Sequence, residues 1–265
     1  MRTDPHSRLV HLRLRRAFRN AENRADFPEP ESGSCRVSHV QWLNWLAKAA
    51  ARIKVARHYA DYRELLAQEK PQIVALAMRQ SDQHHAIGLA ALRAGANIYS
   101  EKPFPTTLGE ADELLAEAAS RNLRIAVAHQ MRIAPNIVHL KQAISAGLIG
   151  DLVEIRAHGK QDTRAGGEDM MVLGSHLFDL MRLFAGDPQS CSARVLHDGR
   201  DITRADARTV RDNIGLVAGD EIFAQFAFAN GINATFTSRQ KLREQLGNWG
   251  IELIGTRGIA RINAN

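Results

Sequence analysis

Cysteine is nearly absent from this chain: Cys35 and Cys191 are the only two thiols in 265 residues. Their separation gives no metal-ligand spacing, so neither a disulfide framework nor a metal site is expected, and a reducing, cytoplasmic setting fits. Long apolar runs are missing as well. No window approaches the roughly 18 consecutive apolar residues a spanning helix needs, so no membrane partner is expected. No export leader is expected, because Arg15-Arg16 is followed by AFRNAENRADFPEPESG, where such a signal needs about 7–15 apolar residues. Glycine is scarce at one end, with Gly33 alone in residues 1–60. Nothing there can follow the Gly-x-Gly-x-x-Gly turn that lets a backbone approach a pyrophosphate.

What is present is ordinary for a globular chain, with 24% charged and 45% hydrophobic residues, and the length suffices for two domains. The formal charge of +6 is uneven: residues 1–60 hold 12 basic and 5 acidic side chains, the remainder 23 and 24. The excess is scattered through a stretch of weak periodicity rather than aligned on a recognition element, so no nucleic-acid partner is expected.

Residues 1–55 show few clear elements. DFPEPESGS reads as a loop, VQWLNWLAKAAARIKVA as helix-forming in its second half, and RLVHLRLR as a candidate strand. From residue 61 the pattern sharpens. DYRELLAQEK is a short helix stopped by Pro71, and QIVALAM is a continuous apolar run of buried-strand type. DQHHAIGLAALRAG is a helix with Asp82 as candidate N-cap and Gly95 as stop; ANIYS is a strand; Thr106 or Thr107 caps LGEADELLAEAASRN; LRIAVAH is a third strand. Alternating strands and helices at this spacing predict a parallel, doubly wound sheet, whose ligands bind beyond the carboxyl ends of the strands. Glu101-Lys102-Pro103 stands at one such end.

Beyond residue 130 the pattern changes. APNIVHLKQAISAGLIG is a helix, DLVEIRAHGK a strand and LGSHLFDLMRLFAG an amphipathic helix. EIFAQFAFANGINATFTS is a hairpin around Asn230-Gly231, and WGIELIGTRGIARIN a second hairpin. This half is expected to be an α+β domain with a mostly antiparallel sheet.

Glu-Lys-Pro after a strand is followed about 30 residues later by Arg132-x-x-Pro135, then by GLIGDLVEIR, Gly166-Gly167 and His176-x-x-Asp179. This ordered set resembles the Gfo/Idh/MocA oxidoreductases over roughly residues 56–262. The resemblance implies an incomplete Rossmann-like dinucleotide-binding domain over residues 1–130, with residues 1–55 atypical. Residues 131–265 would form an α+β substrate-binding and oligomerisation domain with an open sheet. It also implies NAD or NADP as cofactor, a sugar, polyol or related compound as substrate, and a homo-oligomer.

Oxidising a secondary alcohol needs a group that steadies the developing alkoxide and one that accepts its proton. The resemblance assigns Lys102 beside the nicotinamide, and a lysine ammonium suits the first task, with a solvated lysine paired with Glu101 as the alternative. His176 aligns with the family's catalytic histidine and titrates in the useful range, with a core hydrogen bond as the alternative role. Such chemistry requires the two groups, from two lobes, to meet in one cleft. Asp179, one turn on, could orient the imidazole or hold substrate. Glu101, Pro103, His84 and Gln130 are candidate cofactor contacts, and His84-His85 could also be a helix-opening surface pair. Lys160, Asp162, Arg164 and Asp169 cluster near Gly166-Gly167, and Arg164 and Asp169 with Asp179 are candidate substrate contacts.

Two departures weigh on this assignment. The family's aspartate four residues before the histidine is here Val172, with Glu168 or Asp169 as replacements. The glycine loop is absent, and the strand that precedes it in the family would leave an apolar edge beside QIVALA unless RLVHLRLR or CRVSHV fills the place. A truncated or altered amino-terminal end and a short carboxyl end are expected. Three classes of function follow: a nicotinamide-dependent oxidoreductase, a cofactor-poor pseudoenzyme that binds a sugar-like ligand or a partner, and a nucleic-acid or scaffold role through the basic block.

Overall fold

The computed structural model describes residues 9–12 (backbone), 47–52, 56–78, 80–240 and 249–263. The chain forms two compact units, Met1–Val127 and Ala128–Asn265.

The first unit is a four-stranded parallel sheet in the order β1 (Leu9–Leu12), β2 (Ile73–Leu76), β3 (Asn97–Ser100), β4 (Ile125–Val127). The backbone of Leu9–Leu12, within the RLVHLRLR stretch, therefore closes the edge of β2, Leu9 opposite Ile73 and Leu12 opposite Leu76. CRVSHV lies outside the described residues. Residues 47–52 are helical (α1), followed by α2 (Tyr62–Glu69), α3 (His84–Arg93) and α4 (Leu108–Ser120). Val74, Leu76 and Ile98 of the sheet bury against Leu65 and Leu66 of α2, Ile87 and Leu92 of α3 and Leu114 of α4, and this apolar burial holds the unit together.

The helix ends explain where the loops lie. Asp61 caps α2 by accepting from the Arg63 N–H at 2.8 Å. Asp82 does not cap α3: it sits inside a 3-10 turn, Ser81–Gln83, that runs straight into the helix, leaving Gln83 at the cap position without a side-chain bond. The start of α4 is a capping box, Thr107 with Glu110. The Glu110 carboxylate also accepts from the Thr106 hydroxyl at 2.9 Å. Burial pushes the Glu110 carboxyl up, but the hydrogen bonds from Thr106 and Thr107 outweigh it and hold the group below the ordinary value of 4.5. A depressed carboxyl contributes stability above its unfolded value and loses it as pH falls through the folded one. The gap in thermal midpoint between the wild type and Glu110→Gln should therefore be widest near neutral pH and narrow below about 4.5; a gap constant with pH would contradict this.

The second unit is a seven-stranded sheet of β5 (Leu152–His158), β6 (Pro188–His197), β7 (Arg200–Asp201), β8 (Glu221–Phe228), β9 (Asn233–Arg239), β10 (Gly250–Gly255) and β11 (Ile259–Asn263). The order is β11-β10-β5-β9-β8-β6-β7, antiparallel throughout except β5 with β9. Asn230 and Gly231 both take positive φ, 63° and 75°, in the β8–β9 turn, as a tight hairpin with right-handed strand twist demands. Helix α5 (Pro135–Ser145) begins on Pro135, whose missing N–H costs nothing at that position. A short helical turn, α6 (Gly167–Asp169), continues through a π-helical segment, Met170–Gly174, into α7 (Ser175–Ala185). Leu177, Leu180 and Met181 of α7 bury with Ile155, Phe236 and Leu253 of the sheet. Residues on alternate positions, Glu154, Arg156, Glu252 and Arg261, pair instead as Arg156 with Glu154 at 2.7 Å and Arg261 with Glu252 at 2.6 Å.

Candidate functional site

In the first unit the candidates gather beyond the carboxyl ends of β2 and β3. The Glu101 N–H still donates to the Leu76 carbonyl at 2.7 Å, so the sheet pairing extends one residue past β3. The Glu101 carboxylate turns back to the Lys102 N–H at 3.0 Å. Lys102 is half-buried, and it is joined by a cis peptide bond to Pro103, which is buried.

His84 is fully buried, with Nε2 2.9 Å from the Met78 carbonyl and Nδ1 3.2 Å from the Pro103 carbonyl. Both ring nitrogens are thus turned to backbone, and no ring surface is left to meet a cofactor as the sequence suggested. The neighbour His85 is partnered too, its Nε2 lying 2.8 Å from Glu113 of α4.

In the second unit His176 is buried in the first turn of α7, with the Trp249 ring 6.0 Å away and the His129 ring 5.5 Å away, edge-on at 87°. Asp179, one turn along, accepts from Arg132 Nε at 2.9 Å and lies 3.8 Å from His129 Nδ1. Its carboxylate is thus paired with Arg132 of the Arg-x-x-Pro motif. Gln130 opens the 3-10 turn Gln130–Ile133 and is exposed. The sequence reading overlooked His129 and Trp249. The available signal for His129 was its place at the end of LRIAVAH, where parallel strands deliver functional groups.

The loop before α7 also departs from expectation. Asp169 is fully buried and accepts from Ser238 Oγ at 2.6 Å, Gln161 N–H at 3.0 Å and Lys160 N–H at 3.3 Å. It is a staple between the Lys160–Asp169 loop and the end of β9. Arg164 forks onto Asp162 at 3.1 and 2.6 Å. Glu168 lies 4.0 Å from Arg208; burial pushes its carboxyl up, and Asp212 adds to the rise. Space around this loop is tight, since a Cβ on Gly166 would stand 2.3 Å from the Gly219 carbonyl and one on Gly159 2.1 Å from the Asp169 carboxylate.

For a dinucleotide, the strand-end loops of the first unit offer Gln80, Glu101 and Lys102, whose donors and acceptors suit the nicotinamide and ribose end. The segment after β1, where a pyrophosphate turn would stand, lies outside the described residues. Among the described residues no group of three or more His, Cys, Asp or Glu could hold a metal ion, and no helix is long and apolar enough to cross a membrane.

Residues 43–129 match a family model described as an oxidoreductase family with an NAD-binding Rossmann fold, and residues 137–261 match one described as a GFO/IDH/MocA C-terminal domain. An uncharacterized oxidoreductase of Schizosaccharomyces pombe is 30% identical over 56% of this chain and 43% of its own length. The trans-1,2-dihydrobenzene-1,2-diol dehydrogenase of Bos taurus is 26% identical over 80% of this chain and 61% of its own length. Among solved structures, levoglucosan dehydrogenase in complex with NADH and levoglucosan shares the fold with a TM-score of 0.68 and 23% identity, over 83% of this chain and 61% of that one. The chain thus spans less than two thirds of the length of these relatives.

Proposed function

The chain belongs to the Gfo/Idh/MocA oxidoreductase family, and from that premise we propose that it transfers a hydride between a nicotinamide cofactor and the hydroxyl or carbonyl carbon of a sugar, polyol or related compound. The observation that carries this is Glu101-Lys102-Pro103 at the carboxyl end of β3 in a parallel sheet, with the lysine half-buried, the location at which such sheets take up ligands. Relatives named as a dihydrobenzenediol dehydrogenase and as a levoglucosan dehydrogenase bound to NADH support a cyclic hydroxylated substrate.

When bound, the nicotinamide ring supplies the hydride acceptor. Lys102 donates a charge-assisted hydrogen bond to the reacting oxygen, which grows negative as the C–H bond breaks. His176 accepts the hydroxyl proton, its ring held by the buried contacts to His129 and Trp249. Glu101 and Gln130 are proposed cofactor contacts. Incubating the full chain with NAD or NADP and a panel of anhydrosugars, inositols and cyclic diols should give reduced nicotinamide with at least one substrate. No reduction across the panel, in either direction, would favour a family member that binds without reacting.

A further inference from the structure

We propose that His84 is a positioning residue that fixes Lys102, by donating from Nδ1 to the carbonyl of Pro103 in the loop after β3. This rests on the oxidoreductase role proposed for Lys102. The imidazole is fully buried between two carbonyls, that of Met78 at 2.9 Å from Nε2 and that of Pro103 at 3.2 Å from Nδ1. Met78 ends the buried run of β2, and Pro103 follows Lys102 directly. One rigid ring therefore spans the two strand ends between which a dinucleotide would lie in this fold.

Burial makes the clasp effective, because a hydrogen bond in a site without water has no competitor for either partner. The anchor is firm on the protein side too. His84 is the first residue of α3, and that helix is held by Ile87, Leu89 and Leu92 in the core. The segment it holds is residues 101–106, in which the Glu101 carboxylate accepts from the Lys102 N–H and the Glu110 carboxylate accepts from Thr106. Releasing Pro103 from His84 would loosen the backbone that carries Lys102, and small misplacements of a catalytic group are costly.

A neutral imidazole has one N–H, so it donates to one of the two carbonyls at a time. The bond that matters for Lys102 is the one to Pro103. The amide of Asn places its nitrogen near the Nδ1 position and that of Gln near the Nε2 position, so His84→Asn keeps the tie to Pro103 whereas His84→Gln keeps the tie to Met78.

The test compares both variants in the full chain by hydrogen exchange without cofactor and by turnover with it. His84→Gln should raise amide exchange in residues 101–106 about tenfold, leave exchange in β5–β9 unchanged, and lower kcat about tenfold or more with the NADH dissociation constant within about threefold. His84→Asn should stay within about threefold of wild type in both exchange and kcat. A residue that only fills space would not rank the two amides in this order. Equal exchange in residues 101–106 for wild type, His84→Asn and His84→Gln would overturn the inference, as would a Gln variant that matches or outperforms the Asn variant. If exchange follows the predicted order while the wild type turns over nothing, the clasp stands and the oxidoreductase assignment falls. Should either variant fail to fold, nitrogen NMR of the wild-type imidazole decides: a proton resident on Nδ1 would support the tie to Pro103, and a proton resident on Nε2 would refute it.

Discussion

Alanine in place of Lys102 is expected to lower kcat about 10²- to 10³-fold, the usual cost of removing one donor that meets developing negative charge. The dissociation constant of NADH should move by no more than about threefold, because the ammonium acts on an oxygen that becomes strongly basic only as the hydride leaves. Steady-state kinetics and a binding titration on the same preparation separate the two effects. The side chain is half-buried, and its removal empties no core position, so the loss of rate should come with little change in thermal midpoint. An unchanged rate would take Lys102 out of the chemistry.

Asp169→Ala should be the most damaging single change to the fold of the second unit, lowering unfolding free energy by about 3 kcal/mol or more. Its carboxylate holds three donors, Ser238 Oγ and the N–H groups of Gln161 and Lys160, in a site with no exposure. Removing it leaves donors buried without an acceptor, which costs more than the bonds themselves contribute. In a unit of this size the thermal midpoint should fall by roughly 6 °C or more, followed by calorimetry or circular dichroism. A shift below about 2 °C would show that water or a rearranged loop replaces the staple. Ser238→Ala should be milder, since the two backbone donors keep Asp169 as acceptor and only the Gly166 N–H loses its partner.

The contrast between these residues shows what the sequence could reveal. The parallel sheet was readable because QIVALAM, ANIYS and LRIAVAH are short apolar runs separated by well-punctuated helices, and Thr107 with Glu110 is a local signal three residues long. The two hairpins were readable for the same reason, Asn230-Gly231 adopting the positive φ values its side chains tolerate. Strand β6 went unseen. PQSCSARVLH is exposed over most of its length, so its conformation is set by hydrogen bonding to β8, from Leu196 opposite Glu221 to Pro188 opposite Phe228, and not by a hydrophobic pattern of its own.

The site was legible in residue type but not in engagement. The sequence marks Asp169, Arg164 and Asp179 as candidate substrate contacts, yet their partners in the fold are set elsewhere. Asp179 meets Arg132 from 47 positions away, and Asp169 meets Ser238 from 69, distances across which no local pattern operates. His84 was singled out by its place in the β2–α3 loop, but its double contact depends on Pro103, 19 residues later. Burial of a polar group, together with who satisfies it, is a property of the tertiary fold.

The missing glycine turn sharpens the central claim, that a dinucleotide is bound here through the strand-end loops although residues 1–60 contain a single glycine. Titrating the full chain with NADH and with NADPH, followed by nicotinamide fluorescence, tests it most directly. Saturable binding of at least one of them is predicted, and it should be competed by the oxidised cofactor. The absence of saturable binding of either at millimolar concentration would contradict the account.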